Sequence, residues 1–170
     1  MKSYVVLDRD YRPDFQASQV VSKLSNLDIT AHIWRRKELE SYLLNAEVMA
    51  RLSGASTNDI NHWLDEAFDL QETHVFSQML DERVRFEVSG RQHFSTIAAE
   101  FKRDFDRDWK NYDFRLARSP AKDVLSFINM KCSASGCKTF SARALANAHR
   151  AEDFPSEVVT VLASIEEMAS

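Results

Sequence analysis

Breaks are scarce in this chain. Its 170 residues include three glycines, Gly54, Gly90 and Gly136, and three prolines, Pro13, Pro120 and Pro155. Glycine and proline are the strongest punctuators of local structure, so mostly helical structure is expected through the middle and end. The same scarcity removes two function classes. Neither a G-x-x-x-x-G-K nor a G-x-G-x-x-G loop can be assembled from these glycines, so ATP or a dinucleotide is not bound by those routes.

The N-terminal stretch departs from this helical background. Tyr4-Val5-Val6-Leu7 is a short apolar run with β-branched members, and Asp8-Arg9-Asp10 follows it directly. Such a run reads as a buried strand, and its period of two predicts Asp8 and Asp10 on one side with Arg9 on the other. The C-terminal edge of strands is where open α/β sheets bind ligands. Two convergent carboxylates there form a hard-oxygen site suited to Mg2+. Residues 17–26 carry Val20, Val21 and Leu24 at helical spacing, and 29–35 alternate apolar and polar as a second strand does. A strand, helix and strand in about 35 residues form a βαβ unit with parallel strands. Those strands need cover on both faces, which the later helices can supply.

Leu39, Tyr42, Leu43, Ala46 and Ala50 then fall on one helical stripe. Glu40 lies off it near the helix start, where the dipole favours an acid and where it can face the same sheet edge as the acid pair. From Ser56-Thr57-Asn58-Asp59, a loose capping box, a stripe from Ile60 to Val84 predicts a helix of about 30 residues and ~45 Å if unbroken, and leaves room for a kink or short loop near Gln71. A helix over 95–111 places Ile97, Phe101, Phe105 and Trp109 four apart, as core. Its other face mixes charges and reads as solvated surface. The two helices are expected to pair antiparallel beside the small sheet. Pro120 suits a first helical turn, which puts Lys122 within that turn, against the dipole. Local rules fail most often where a residue has a task, which is a reason to suspect one for Lys122, beside the ordinary reading of an exposed lysine.

Composition adds limits. A hydrophobic fraction of 44% and a charged fraction of 28% fit one ordinary globular domain. A net charge of −4 does not fit a protein that coats nucleic acid nonspecifically, but it permits one that grips a few phosphates locally. No apolar run approaches the ~20 residues of a membrane span, and the N-terminal apolar run is too short for a signal peptide. A cytoplasmic location without membrane partners is the expectation. Cys132 and Cys137 lack the further ligands of a zinc site and are expected to be free thiols.

Four segments in order resemble the C-terminal part of the Toprim domain in the overcoming-lysogenization-defect (OLD) family of ATP-dependent endonucleases. Val5-Val6-Leu7-Asp8-Arg9-Asp10-Tyr11-Arg12 is similar to the family's strand ending in D-x-D. Ile33 to Leu44, containing Glu38-Leu39-Glu40-Ser41-Tyr42-Leu43, resembles its strand and E-L-E-N-Y-L helix start. Ser119-Pro120-Ala121-Lys122-Asp123-Val124-Leu125 is similar to P-G-K-x-x-L, and Glu152-Asp153-Phe154-Pro155-Ser156-Glu157 to the closing I-P-x-E. The resemblance implies a partial Toprim-like α/β fold over 1–170: a βαβ unit at 1–55, a large helical insertion at 56–115 and C-terminal helices at 116–170. It implies metal-dependent hydrolysis of DNA, with Asp8 and Asp10 holding Mg2+ or Mn2+, Glu40 supporting them and Lys122 steadying the phosphate. The chemistry is consistent, since such a metal activates water and clamps phosphate oxygens, while a lysine offsets their developing charge.

The sequence departs from the family in having Ser41 for Asn and Ala121 for Gly, and it contains neither a preceding glutamate-bearing strand nor an ATPase domain. The expectation is therefore a trailing piece of a split gene, or a chain completed by an ATPase partner, with little cleavage alone. An open sheet edge invites self-association, including a homodimer. A noncatalytic module that docks on an ATPase is the alternative. The Asp-x-Asp also resembles haloacid dehalogenase phosphatases, in which the first acid attacks phosphate and the second moves a proton; Tyr11-Arg12 and the lack of a later G-D-x-x-x-D depart from that pattern.

Overall fold

In the computed structural model, which describes residues 3–87 and 94–169, Ser3–Leu7 forms β1 and Ile29–Ile33 forms β2. The two strands pair in parallel, Ser3 opposite Ile29 and Leu7 opposite Ile33. Between them runs α1, Asp14–Ser25, which follows Pro13 and carries Asp14 in its first turn. The chain re-enters β2 through Asp28, whose φ of 57° is left-handed. This is the expected βαβ order.

The later elements are helical, as the shortage of breaks requires. They are α2 (Ala46–Ser53), α3 (Thr57–Glu87), α4 (Phe94–Asp108), α5 (Tyr112–Arg118), α6 (Ala121–Ala134), α7 (Ala142–Ala148) and α8 (Ser156–Ala169), with short 3₁₀ turns at Leu39–Leu43 and Ala151–Asp153. The molecule is thus α/β with a small parallel sheet and a helical majority. No described helix is long and apolar enough to cross a membrane.

Helix α3 runs unbroken through Gln71, at the length expected of the undivided stripe and without a loop there. Ser56 starts it: the hydroxyl accepts the Asp59 backbone N–H at 3.1 Å and donates to the Asp59 carboxylate at 2.6 Å. Going back along α3 from Arg83 through Phe76 to Phe68, the ring contacts move forward from Phe101 to Phe105 and then Tyr112. That order makes α3 and α4 antiparallel, as expected; the connection over 88–93 lies outside the described residues.

Their shared aromatic stripe faces other helices. Phe68, Phe101 and Phe105 join Val48 and Met49 of α2, Leu116 of α5, Val124 and Ile128 of α6 and Leu145 of α7 in the main core. Each fully buried side chain of this size stabilises the fold by about 2–3 kcal/mol. The sheet has a separate, smaller core in which Tyr4 and Val6 pack with Trp34, Tyr42, Val158 and Val161 under α8. Alternation places Ala31 and Ile33 on the other face, toward Ala17 and Val21 of α1. The expected packing of the α3–α4 pair beside the sheet is thus replaced by packing within the helical body. Every strand residue keeps some exposure, so the two-sided cover usual for parallel strands is only partial.

Candidate functional site

The β1 ladder ends where the backbone N–H of Trp34 donates to the Leu7 carbonyl at 3.1 Å. Asp8 comes next, exposed, and one of its carboxylate oxygens accepts the Leu39 backbone N–H at 3.2 Å. Leu39 opens the 3₁₀ turn after β2, so this bond ties together the chain segments leaving the two strands. Glu40 is the next residue of that turn. Asp8 and Glu40 both line one cavity of about 450 Å³, whose other walls include Val6, Trp34, Val161 and Leu162. The structure therefore brings these two candidate acids to the C-terminal edge of the parallel pair.

Asp10 sits differently. Its φ of 51° is left-handed, a conformation aspartate tolerates better than most residues, and it lies outside the lining of that cavity. The simple alternation expected of Asp8-Arg9-Asp10 ends because the strand has already stopped at Leu7. A turn closes over 9–12, with the Arg12 N–H donating to the Arg9 carbonyl at 3.1 Å. Arg9 is 7% exposed; its guanidinium donates to the Arg12 carbonyl at 3.0 Å and pairs with Asp14. The Asp10 N–H reaches the Lys37 carbonyl at 2.8 Å, and its carboxylate lies 3.3 Å from the Arg12 guanidinium.

Lys122 is exposed at the second position of α6. No hydrogen bond or ion pair among the described residues joins it to Asp8, Asp10 or Glu40. Glu38 makes the connection between α6 and the segment after β2: one carboxylate oxygen accepts the Ala121 N–H at 2.8 Å and the other binds the Lys37 ammonium at 2.7 Å. Pro120 stands at the N-cap and makes no side-chain cap. The orphan amides of a helix start need an acceptor from elsewhere, and the sequence signal for Glu38 was that uncapped start. Nothing local pointed to Glu38 itself.

The helix expected from Leu39 to Ala50 is divided. Tyr42 is 2% exposed and its hydroxyl donates to Glu157 of α8, while Asn45 starts a fresh helix by accepting the N–H groups of Glu47 and Val48 at 3.0 and 3.3 Å. Asn followed by Glu two residues on is a helix-start signal that the continuous apolar stripe obscured. Glu157 also meets His32 at 3.0 Å and the Arg35 N–H at 3.0 Å. Burial first, and then the bond to Glu157, raise the Tyr42 phenol well above its ordinary pKa.

Tyr11 is buried beside the acid turn, with the Lys37 ammonium 5.4 Å from its ring centre and His74 at its edge. Burial, followed by the charges of Glu38, Asp123 and Asp10, pushes its phenol up to about 12. Beneath the turn, burial and the neighbouring Arg9 lower the Arg118 guanidinium to about 10, with Asp14 partly offsetting them. Cys132 and Cys137 are free thiols.

No group of three or more His, Cys, Asp or Glu side chains able to hold a metal ion occurs among the described residues. Asp8 and Glu40 are the carboxylates in the lining of that cavity, and carboxylate oxygens are ligands of the kind that a hard cation such as Mg2+ takes. The fold and site together define a mostly helical α/β protein with acids at the C-terminal ends of a parallel pair. No protein family, curated protein or solved structure matches the chain.

Proposed function

We propose that this chain is the C-terminal, Toprim-like portion of an OLD-type endonuclease that hydrolyses DNA phosphodiesters with Mg2+ or Mn2+, completed by an ATPase encoded upstream or supplied in trans. The observation that carries this reading is the shared cavity of Asp8 and Glu40 at the sheet's C-terminal edge. One Asp8 oxygen is oriented by the Leu39 amide, which leaves the other to accept a cation or a water proton. Glu40 adds a second charge beside it. Asp10, exposed on the neighbouring turn, supplies further negative potential toward an approaching cation. A bound metal would activate water and neutralise phosphate oxygens. Lys122, exposed and without an ion pair among the described residues, has its ammonium available for the phosphate charge.

Calorimetric titration with Mn2+, alongside cleavage of plasmid DNA by the chain with its ATPase partner, tests this reading. Asp8→Ala should weaken metal binding and lower cleavage by about a hundredfold or more, on the order expected when one preorganised charged group is removed. Asp10→Asn is the suitable partner variant, because asparagine tolerates the left-handed backbone. Lys122→Ala should leave folding unchanged and reduce the salt dependence of DNA binding by about one phosphate contact. Metal binding that survives both acid substitutions unchanged rejects the site.

A noncatalytic docking role on the ATPase, or in a homodimer, is the second reading. It is supported by the incompletely covered strands and by Leu39 and Leu162, which line the same cavity yet are 50% and 59% exposed. A complex that forms in EDTA and is lost on Leu162→Glu, with no cleavage under any metal, would select it.

A further inference from the structure

Strand β2 has one paired edge and one open edge. Leu7 stands opposite Ile33, and Trp34 donates its N–H to the Leu7 carbonyl, which together fix the phase of the parallel ladder. Thr30, His32 and Trp34 turn their backbone groups toward β1, and Ile29, Ala31 and Ile33 turn theirs away from it. Among the described residues no other strand lies beside β2. Two cavities of about 470 Å³ each follow the strand between β2 and α1, and they share Val21 and Ala31, so the two read as one groove. Its α1 wall is built of small side chains, Ala17, Ser18, Ser22 and Ser25. Open edges are ordinarily blunted by a lysine, a proline, a bulge or an inward charge. Ile29-Thr30-Ala31-His32-Ile33 carries none of these, and the ring of His32 is taken by Glu157.

We infer that a second copy of this chain pairs along this edge, β2 antiparallel to β2 of its partner, to form a four-stranded sheet. The three outward residues are symmetric about Ala31. Setting Ala31 opposite its own counterpart places Ile29 opposite Ile33 of the partner subunit, so all three exchange backbone hydrogen bonds in a two-fold arrangement. Charge selects the same arrangement. Asp28 precedes β2 and Arg35 follows it by two residues; both are exposed, and neither side chain has an ion pair among the described residues. Pairing about Ala31 puts Asp28 opposite Trp34 of the partner subunit, with the partner subunit's Arg35 the next residue along, and the two-fold axis repeats the contact. A parallel neighbour would instead set acid beside acid and arginine beside arginine. This interface is distinct from the Leu39 and Leu162 surface at the Asp8–Glu40 cavity, and it stands whether or not that cavity holds a metal. Because the strands are antiparallel, the two Asp8–Glu40 cavities fall at opposite ends of the joined sheet.

Sedimentation velocity of the full chain in EDTA, across a concentration series, should show a monomer–dimer equilibrium that tightens as salt is lowered. Ala31→Pro deletes the outward N–H and spares the bonds to β1, a position where an edge strand tolerates proline. Folded by circular dichroism, it should weaken the dimer by about tenfold or more, on the order of two lost hydrogen bonds. Asp28→Asn keeps a residue that tolerates the left-handed backbone and should weaken it by about threefold to tenfold, as two exposed ion pairs would. Arg35→Glu should weaken it further by setting acid against acid. On the Arg35→Glu background, Asp28→Asn should instead strengthen the dimer, a reversal of sign that damage to the fold does not produce. Leu162→Glu should leave it unchanged. A monomer at every concentration, a dimer untouched by a folded Ala31→Pro, a dimer lost on Leu162→Glu, or an Asp28→Asn effect of one sign on both backgrounds would overturn the inference. Should Ala31→Pro not fold, the sign reversal decides. Because no metal is present, failure of the dimer leaves the Asp8–Glu40 reading standing, and failure of that reading leaves the dimer.

Discussion

Glu38 accepts the backbone N–H of Ala121 at 2.8 Å, joining the segment after β2 to the start of α6 across 83 positions of sequence. Its other oxygen holds Lys37 at 2.7 Å, and both side chains are largely buried, at 14% and 16% exposure. A carboxylate at a helix start caps an orphan amide and meets the positive end of the dipole. Lys122, one residue further on, thereby has its backbone position fixed.

Glu38→Ala should cost about 1–2 kcal/mol, the range for loss of an N-cap, and leave Lys37 without its partner. Glu38→Gln, which keeps an acceptor oxygen, should cost less. Urea unfolding of the two variants measures the difference. Equal midpoints for Glu38→Ala and the unaltered chain would mean that the contact contributes nothing.

The parts of the fold that were legible in the sequence were those with a local cause. Val5, Val6 and Leu7 bounded by polar residues gave β1, and few glycines gave long helices, including the full run of α3. The antiparallel pairing of α3 with α4 followed from aromatics four apart. Less legible was whatever depended on distant partners. The stripe from Leu39 to Ala50 looked continuous because periodicity does not register that Tyr42 is drawn to Glu157, 115 positions away. Alternation through Asp10 failed because Arg9 is buried against Asp14 and Arg12, which closes a turn that strand periodicity does not foresee. For the candidate site, adjacent parallel strands were enough to bring Asp8 and Glu40 together, whereas Glu38 became visible only once α6 was in place.

Glu157 gathers three donors, the Tyr42 hydroxyl, the His32 ring and the Arg35 amide, with its side chain 10% exposed. It thereby fixes α8 over the sheet face that borders the Asp8–Glu40 cavity. Glu157→Ala should destabilise the chain by about 1–3 kcal/mol, because buried donors are left unpaired. At this length that corresponds to a fall in Tm of about 2–4 °C for each kcal/mol. Tyr42→Phe removes one donor and should cost about 1 kcal/mol. Calorimetry of both variants and of the double variant checks the coupling. Additive losses would show that the two groups act independently.

Acid should loosen the same wall from its other end. Asp153, at the close of the 3₁₀ turn that leads into Pro155 and α8, binds Arg51 of α2 at 2.7 Å and accepts the Arg150 N–H at 2.9 Å. The bond from Arg51, followed by that from Arg150, holds the carboxyl below its ordinary pKa. A depressed carboxyl stabilises the fold above the unfolded value of about 3.9, and that contribution disappears as pH falls through the lower folded value. Arg51→Ala should therefore lower the urea midpoint at about pH 7, where the unaltered Asp153 is ionised and paired. Toward about pH 2–3 the gap should narrow, because protonated Asp153 no longer gains from the guanidinium. A gap of constant size across this range would assign the loss to the packing of the arginine stem, since arginine also stabilises through its methylenes.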